Sequence, residues 1–386
     1  MQIFKKPKFN FMKYKYVALG VSGLIIIIGW SNILIGKGLN LGIDFAGGTL
    51  IRVMFQEETR TADLRAALSR ANLGTPQIQE IEKSKREFQI RTLATVEGEE
   101  TQDDMEAHEK MGNMVVDALR TEEEHNAAAS GLLDLNNLDE TELKILLESQ
   151  YPDDAESMSR AIIGSRVELK MYTDFNQLKT EAGLDDDAVT YIQGKTFLSK
   201  MIVLSKESVG PQIGKELRVR ATQAAVWALI GMLIYIGIRF RFAYGVSAIV
   251  TLAHDVLFTV GIFSLTGREL NLPVIAAIMT LIGYSLNDTI VIFDRVRDNL
   301  KILRKLKFDD LLNASINQTL GRTVITSGTT FLTVVALFLF GGSVINDFAF
   351  TIMVGVIVGT YSSIYQSCSL LYFWNKFFKP KKGMGK

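Results

Sequence analysis

The sequence predicts an α-helical polytopic membrane protein with six spans and one extracytoplasmic α+β domain that carries a helical insertion. Three observations lead there. Apolar residues collect in runs near or above the ~20 residues needed to cross hydrocarbon, while polar residues dominate from about 57 to 200. The basic residues that flank those runs fall on one side of the membrane. The polar stretch in between alternates strand and helix periodicity.

The spans fall at about 16–35, 221–238, 242–266, 273–293, 323–343 and 347–374. Lys5, Lys6, Lys8, Lys13 and Lys15 precede the first. That beginning resembles a signal peptide, but the run is long and lacks a small-x-small cleavage site, so it reads as a retained membrane helix. Arg239, Arg241, the 295–307 cluster and Lys376, Lys379, Lys381 and Lys382 share the side of the N-terminal lysines. The opposite short loops, 267–272 and 341–346, hold only Arg268. The positive-inside rule makes the basic side cytoplasmic, with both termini inside and 36–220 outside. The expected layout is a cytoplasmic start (1–15), the first span (16–35), the outer domain (36–220), five spans (221–374) and a basic tail (375–386).

In the outer domain, 39–55 reads as a long strand interrupted at Gly47 and Gly48. Helical spacing over 61–72 follows, then strands at 78–81 and 86–93 around a polar turn at 83–85, a helix at 102–119 and a strand at 197–205. Strand–helix–strand–strand–helix–strand is the ferredoxin-like order. An insertion occupies about 121–195, with helices expected at 138–149, 152–164, 174–182 and 185–194. From 97 to 159 the chain has 19 acidic residues against three basic. The reading adopted is a solvated acidic face, ahead of a dedicated partner or cation site. Asp134, Asn136 and Asn137 lack the turn glycine and the glutamate of a calcium loop.

Composition removes several function classes. Lys and Arg total 42 and so do Asp and Glu, which gives no argument for nucleic acid. The single Cys368 cannot form an intrachain disulfide, and three histidines without ligand spacing argue against a metal site. No cofactor is expected. No nucleophile–base pair suits hydrolysis, so a transporter is expected rather than an enzyme.

The residues suited to chemistry lie in the spans. Asp288 sits about 15 residues into the fourth span, hence ~22 Å from its outer end. An ionisable group at that depth costs at least ~2.5 kcal/mol to insert, so it marks a functional site by default. The bland alternative, an interfacial helix end, conflicts with the apolar run 289–293 that follows. Tyr284 and Ser285 stand one turn earlier on the same face, within hydrogen-bonding reach of Asp288 or water, and Asn287 precedes it. In the third span, His254 and Asp255 can either relay protons or form a buried polar knot. As neighbours in sequence they point to different helix faces. Arg322 opens the fifth span, where it either snorkels to the interface or turns inward to hold Asp288 ionised; Thr323, Thr326, Ser327, Thr329 and Thr330 line the same helix. Asp294 and Arg295 mark the water boundary of the fourth span. Gly210, Pro211 and Gly214 imitate a P-loop with wrong spacing and no Ser or Thr after Lys215, so they read as a loop into the second span. Gly47-Gly48 reads as a strand bulge rather than a phosphate cradle.

Several stretches, taken together and in order, resemble the SecF members of the SecD/SecF family of bacterial protein-export membrane proteins. They are LGIDFAGGT (41–49, with Gly42, Asp44, Gly47 and Gly48), SVGPQIGKEL (208–217), HDV (254–256), YSLNDTIVIFDRVRDN (284–299), QTLGRT (318–323) and VGTYSSIY (358–365). The insertion has no counterpart in short family members. The resemblance implies half of an RND-superfamily transporter. It implies SecD as the other half, the SecYEG channel as partner, YajC and YidC as further associates, and a translocating unfolded polypeptide and membrane lipid as contacts. It further implies proton coupling, with sodium as the alternative ion, through Asp288 and Arg322, and places Asp255 in the family's His-Asp position. Two rivals remain open at this stage: an RND exporter half for small molecules or lipids, and a non-transporting translocon scaffold.

Overall fold

The computed structural model describes residues 7–36, 38–71, 73, 76–81, 85–92, 104–240 and 242–378. The lysines at 5, 6, 379, 381 and 382, Arg241, and turn residues 83 and 84 lie outside this set. The chain divides into two compact units, one running up to Phe45 and resuming at Glu216, the other Ala46–Lys215.

The first unit is a helix bundle. Its membrane helices are M1 (Lys15–Leu34), M2 (Pro211–Arg239, whose first turn belongs to the other unit), M3 (Phe242–Leu265), M4 (Leu272–Ile302), M5 (Phe308–Phe340) and M6 (Gly342–Phe378). All six are long and apolar enough to cross a membrane. M4 and M6 are about half-buried within the chain, while M2 is almost entirely exposed. The shared apolar core runs through Leu252 and Phe263 of M3, Ile282 and Phe293 of M4, Leu312 of M5 and Cys368 of M6. Glycines let the helices approach closely, as small residues do in membrane bundles. A Cβ on Gly29 of M1 would lie 2.5 Å from the Gly261 Cα of M3, and one on Gly355 of M6 would lie 2.5 Å from the Leu281 side chain of M4.

Helix bounds differ from their sequence expectations: M4 runs on to Ile302 and M6 starts at Gly342, and two other starts change the reading of candidate residues. M5 begins at Phe308 rather than 323, so Arg322 stands inside a 33-residue helix instead of opening it. The hydropathy pattern starts where apolar residues become dense, but helical hydrogen bonding continues through the amphipathic turns before it. M2 starts at Pro211, so Gly210, Pro211 and Gly214 form the first turn of a 29-residue helix rather than a loop, with Gly214 N donating to Gly210 O at 2.9 Å. Proline favours that position because its fixed φ suits a helix start and the N–H it lacks would be unpaired there.

The second unit holds a four-stranded antiparallel sheet. Strands β1 (Gly48–Phe55), β2 (Gln77–Glu80) and β3 (Glu87–Thr92) are interleaved with helices α1 (Thr61–Arg70) and α2 (Asp104–Leu119). The last strand, β4 (Met201–Val209), follows the insertion and gives the order β2-β3-β1-β4, the ferredoxin-like arrangement. Ile51 and Val53 of β1, Phe88 and Ile90 of β3, Leu68 of α1 and Val115 of α2 are buried between sheet and helices. The expected strand 39–55 is split. Asn40–Leu41 pairs in parallel with Glu269–Leu270 in the bundle unit, Ile43–Ala46 is one helical turn, and only Gly48–Phe55 joins the sheet. Gly47 and Gly48 have φ of 72° and 120°, a reversal that side chains rarely permit. They form the turn into β1, and the irregularity in pairing falls instead between Arg52 and Val53.

The insertion has its own core of Leu143, Leu147, Ile162, Tyr172, Leu178 and Ile192. Its helices are Glu122–Ala129, Glu140–Glu148, Ala155–Leu169, Asn176–Thr180 and Asp186–Gln193; the first was absent from the sequence reading because its alanine and glutamate run has little periodicity. Asn137 pins the insertion to β4, accepting from Val203 N at 2.7 Å and donating to Met201 O at 3.0 Å. Glu124 accepts from Lys200 N at 2.6 Å. Burial raises the Asp134 carboxyl above its ordinary value, a shift opposed by Asn137, Ser199 and Arg120. Asp134, Asn136 and Asn137 thus serve as ties within the unit.

Candidate functional site: a carboxylate network in the bundle

M3 and M4 each bring one carboxylate into the bundle, and M6 touches the surroundings of both. Asp255 of M3 is fully buried. Its Oδ2 accepts from Ser285 of M4 and from Ser362 of M6, the latter at 2.7 Å. Its Oδ1 lies 2.9 Å from His254 Nδ1. The two neighbours in sequence therefore touch, although adjacent positions start from different faces of the helix. His254 Nε2 is buried without a hydrogen-bond partner among the described residues.

Asp288 of M4 is 3 % exposed. Its Oδ2 accepts from Ser327 of M5 at 3.3 Å, and Ser327 accepts from Thr360 of M6 at 2.8 Å. Ser285, expected beside Asp288, spends its hydroxyl on Asp255. One turn of M4 thus supplies a donor to one carboxylate and carries the other, since residues three apart share a helix face. Tyr284 and Thr323 are buried nearby with hydroxyls unpartnered among the described residues.

M6 fits here because it lacks side chains at two points. A Cβ on Gly359 would lie 3.2 Å from the Ser285 Cβ. Thr360 and Ser362 then straddle the backbone, one toward the Asp288 side and one toward Asp255. Sequence reasoning assigned no site role to Ser362 or Thr360. Their signal was present in VGTYSSIY, where small and polar residues interrupt an otherwise apolar span.

Other candidates lie elsewhere. Asn287 is exposed on M4, about 100° around the helix from Asp288. Arg322 is exposed and makes no ion pair among the described residues; its charge reaches Asp288 only at a distance. At one end of M4, Asp294 pairs with Arg239 of M2 at 3.0 Å and with Arg297 at 3.2 Å, while Arg295 is exposed. At the other end, the Gly42 N donates to Leu270 O at 2.7 Å, and Asp44 Oδ2 accepts from Leu272 N at 2.8 Å. Asp44 and Asn271, which accepts from Val274 N at 3.1 Å, cap M4 together. A Cβ on Gly42 would lie 3.1 Å from Leu270 O, which explains the glycine.

A six-span bundle with two carboxylates held by hydroxyls in its interior, and a ferredoxin-like unit between M1 and M2 in the chain, defines the class: a polytopic membrane protein with buried ionisable groups. Residues 191–377 match the family model for the protein export membrane protein SecD/SecF C-terminal region, and residues 33–58 match the SecD/SecF GG motif. Protein translocase subunit SecF of Koribacter versatilis is 37 % identical over 387 residues, covering 96 % of this chain and 93 % of that protein. Protein translocase subunit SecDF of Thermus thermophilus is 51 % identical over 175 residues, 45 % of this chain and 24 % of the relative. The crystal structure of SecDF from Thermus thermophilus, described as a translocon-associated membrane protein, superposes with a TM-score of 0.65 at 31 % identity. The match covers 96 % of this chain but 39 % of that one. The chain belongs to the SecD/SecF family of protein-export membrane proteins.

Proposed function

We propose that the chain acts as the SecF subunit of a Sec translocase accessory complex, converting ion movement through the bundle into work on an exported polypeptide. The observation that carries this reading is the pair of buried carboxylates, Asp255 contacted by Ser362 of M6 and Asp288 reached from Thr360 of M6 through Ser327 of M5. A charged group in hydrocarbon is retained for a function or a partner. Asp288, held by a single long hydrogen bond, is the group free to change protonation. Asp255, with three contacts, is the fixed point around which M3, M4 and M6 pack.

The complex includes a SecD-type half. The fused SecDF relatives support this, as does the exposure of Arg322 partway along M5: a cation there needs an anionic neighbour or an interface to reach. SecYEG is the channel served, and YajC and YidC are further associates. The location is the bacterial inner membrane with both termini cytoplasmic, which follows from the lysines before M1 and the basic residues after M4. In the mechanism, protonation of Asp288 weakens its attraction to Arg322, M4 and M5 repack, and M1 and M2 carry the shift to the outer unit. One proton crossing 100 mV supplies ~2.3 kcal/mol from the potential, enough to bias a two-state element with a gap of that size.

The test is export into energised inverted membrane vesicles, comparing the wild type with Asp288→Asn and Arg322→Ala at equal complex levels. Loss of the proton-driven component with the complex intact is the expected result. Unchanged export would make the protein a scaffold, and export that follows a sodium gradient instead would change the coupling ion.

A further inference from the structure

M1, M3 and M6 enclose a groove of about 610 Å³ that plays no part in the carboxylate network. Its wall runs along M1 from Tyr14 through Val21 to Ile25, and across to Ile262 of M3 and Ile357 and Tyr361 of M6. Midway along this wall the polar atoms of Tyr361 and Ser22 are already engaged. Tyr361 Oη donates to Ala18 O at 2.7 Å, and Ser22 Oγ donates to the same carbonyl at 3.0 Å while accepting from Gln366 at 2.5 Å. An occupant therefore meets an apolar surface and needs no hydrogen bonds of its own.

Length and charge identify the occupant. Tyr14 to Ile25 spans eleven residue steps, or ~16 Å of helix, which matches one leaflet of a hydrocarbon core ~30 Å thick. The mouth is also charged. The ammonium of the exposed Lys13 lies 5.7 Å from the ring centre of Tyr14, and that of Lys15 lies 4.4 Å from the ring centre of Tyr372. Tyr14, Tyr16 and Tyr372 place aromatic rings at this end, where interfacial tyrosines gather.

We propose that this groove is a phospholipid site: one acyl chain lies along M1 between M3 and M6, and an anionic headgroup sits at Lys13 and Lys15. Lysines at a membrane surface favour anionic over zwitterionic lipid. The occupant touches Tyr361, which lies between Thr360 and Ser362, so it bears on the M6 segment that holds the surroundings of both carboxylates. Naming the leaflet as cytoplasmic rests on the orientation proposed above; the site itself does not.

The experiment reconstitutes the full-length chain, assembled with its SecD-type partner, in bilayer discs containing a phosphatidylglycerol with a photoactivatable acyl chain, and maps the crosslinks by mass spectrometry. Labelling is expected on the M1 and M6 segments around Val21 and Ile357, displaced better by unlabelled phosphatidylglycerol than by phosphatidylethanolamine. Val21→Trp or Ile357→Trp, filling the groove, should remove it. Lys13→Gln with Lys15→Gln should lower the preference for the anionic lipid about thirtyfold. Ile27→Trp, on an exposed part of M1 outside the groove, should leave labelling unchanged in a complex of the same stability. Labelling that survives both tryptophan variants, labelling indifferent to headgroup charge, or protection of these segments by the partner subunit would each overturn the proposal. None of these outcomes depends on whether protons drive export.

Discussion

Replacing each buried carboxylate by alanine separates the anchoring group from the mobile one. Asp255→Ala and Asp288→Ala delete the same atoms from sites that are 0 % and 3 % exposed, so the volume lost is alike. What differs is the number of partners stranded. Removing Asp255 leaves Ser285 and His254 without their partner and Ser362 with only the Gly359 carbonyl at 3.1 Å; removing Asp288 leaves Ser327, which still accepts from Thr360. Hydrogen bonds between membrane helices average about 0.6 kcal/mol and reach about 1.7. Three contacts come to about 2 kcal/mol, and the single 3.3 Å bond of Asp288 to about 0.6 kcal/mol or less. Asp255→Ala should therefore be the less stable variant by about 1–1.5 kcal/mol. The assay is heating of the detergent-purified complex, followed by the fraction that stays monodisperse, with proton-dependent export read in parallel. Asp255→Ala should melt first, whereas Asp288→Ala should stay near wild type in stability and lose proton dependence. Equal melting shifts, or a larger one for Asp288→Ala, would falsify the division of roles.

Three further outcomes follow from the same contacts. Gly29→Leu drives a side chain into the Gly261 backbone of M3 and should cost 1–3 kcal/mol or more, seen as an earlier melting transition; Gly20→Leu, where a Cβ meets nothing within 4 Å, serves as the silent control. Asp44→Ala removes the acceptor of Leu272 N at the start of M4, a capping loss of about 1 kcal/mol, and Asp44→Asn, which keeps an acceptor oxygen, should recover most of it in the same melting assay. Asp134 has its carboxyl raised by burial, so the folded state holds that proton more tightly than the unfolded one. Its contribution is most favourable below the ordinary carboxylate range and is lost as pH rises through and above that range. Asp134→Asn should then protect the insertion against proteolysis more at pH 7 than at pH 4; equal protection at both would remove the titration from the account.

The sequence alone determined the six membrane helices and the ferredoxin-like order of the outer unit, and it singled out Asp255 and Asp288 as carboxylates inside the bundle. Each of these rests on local physics. A run of about twenty apolar residues has one low-energy fate in hydrocarbon, strand and helix periods differ by nearly a factor of two, and a carboxylate within an apolar run is visible by itself. Helix boundaries were less legible, because amphipathic turns continue M5 backward to Phe308 and M2 to Pro211 without a hydropathy signal. The strand expected through Gly47 and Gly48 broke for a similar reason. Alternation predicted extension, but two positive φ angles turn the chain, and Asn40–Leu41 pairs with Glu269–Leu270, more than 200 residues away. Only the tertiary structure decided which groups meet. Ser285 serves Asp255 rather than Asp288, His254 folds beside Asp255, Asn287 faces outward, and Thr360 and Ser362 of M6 join the two carboxylates to their neighbours. Those pairings depend on how M3, M4, M5 and M6 rotate against one another, which glycines at 355 and 359 set by allowing close contact. Periodicity gives each helix its faces, but packing chooses which face meets which neighbour.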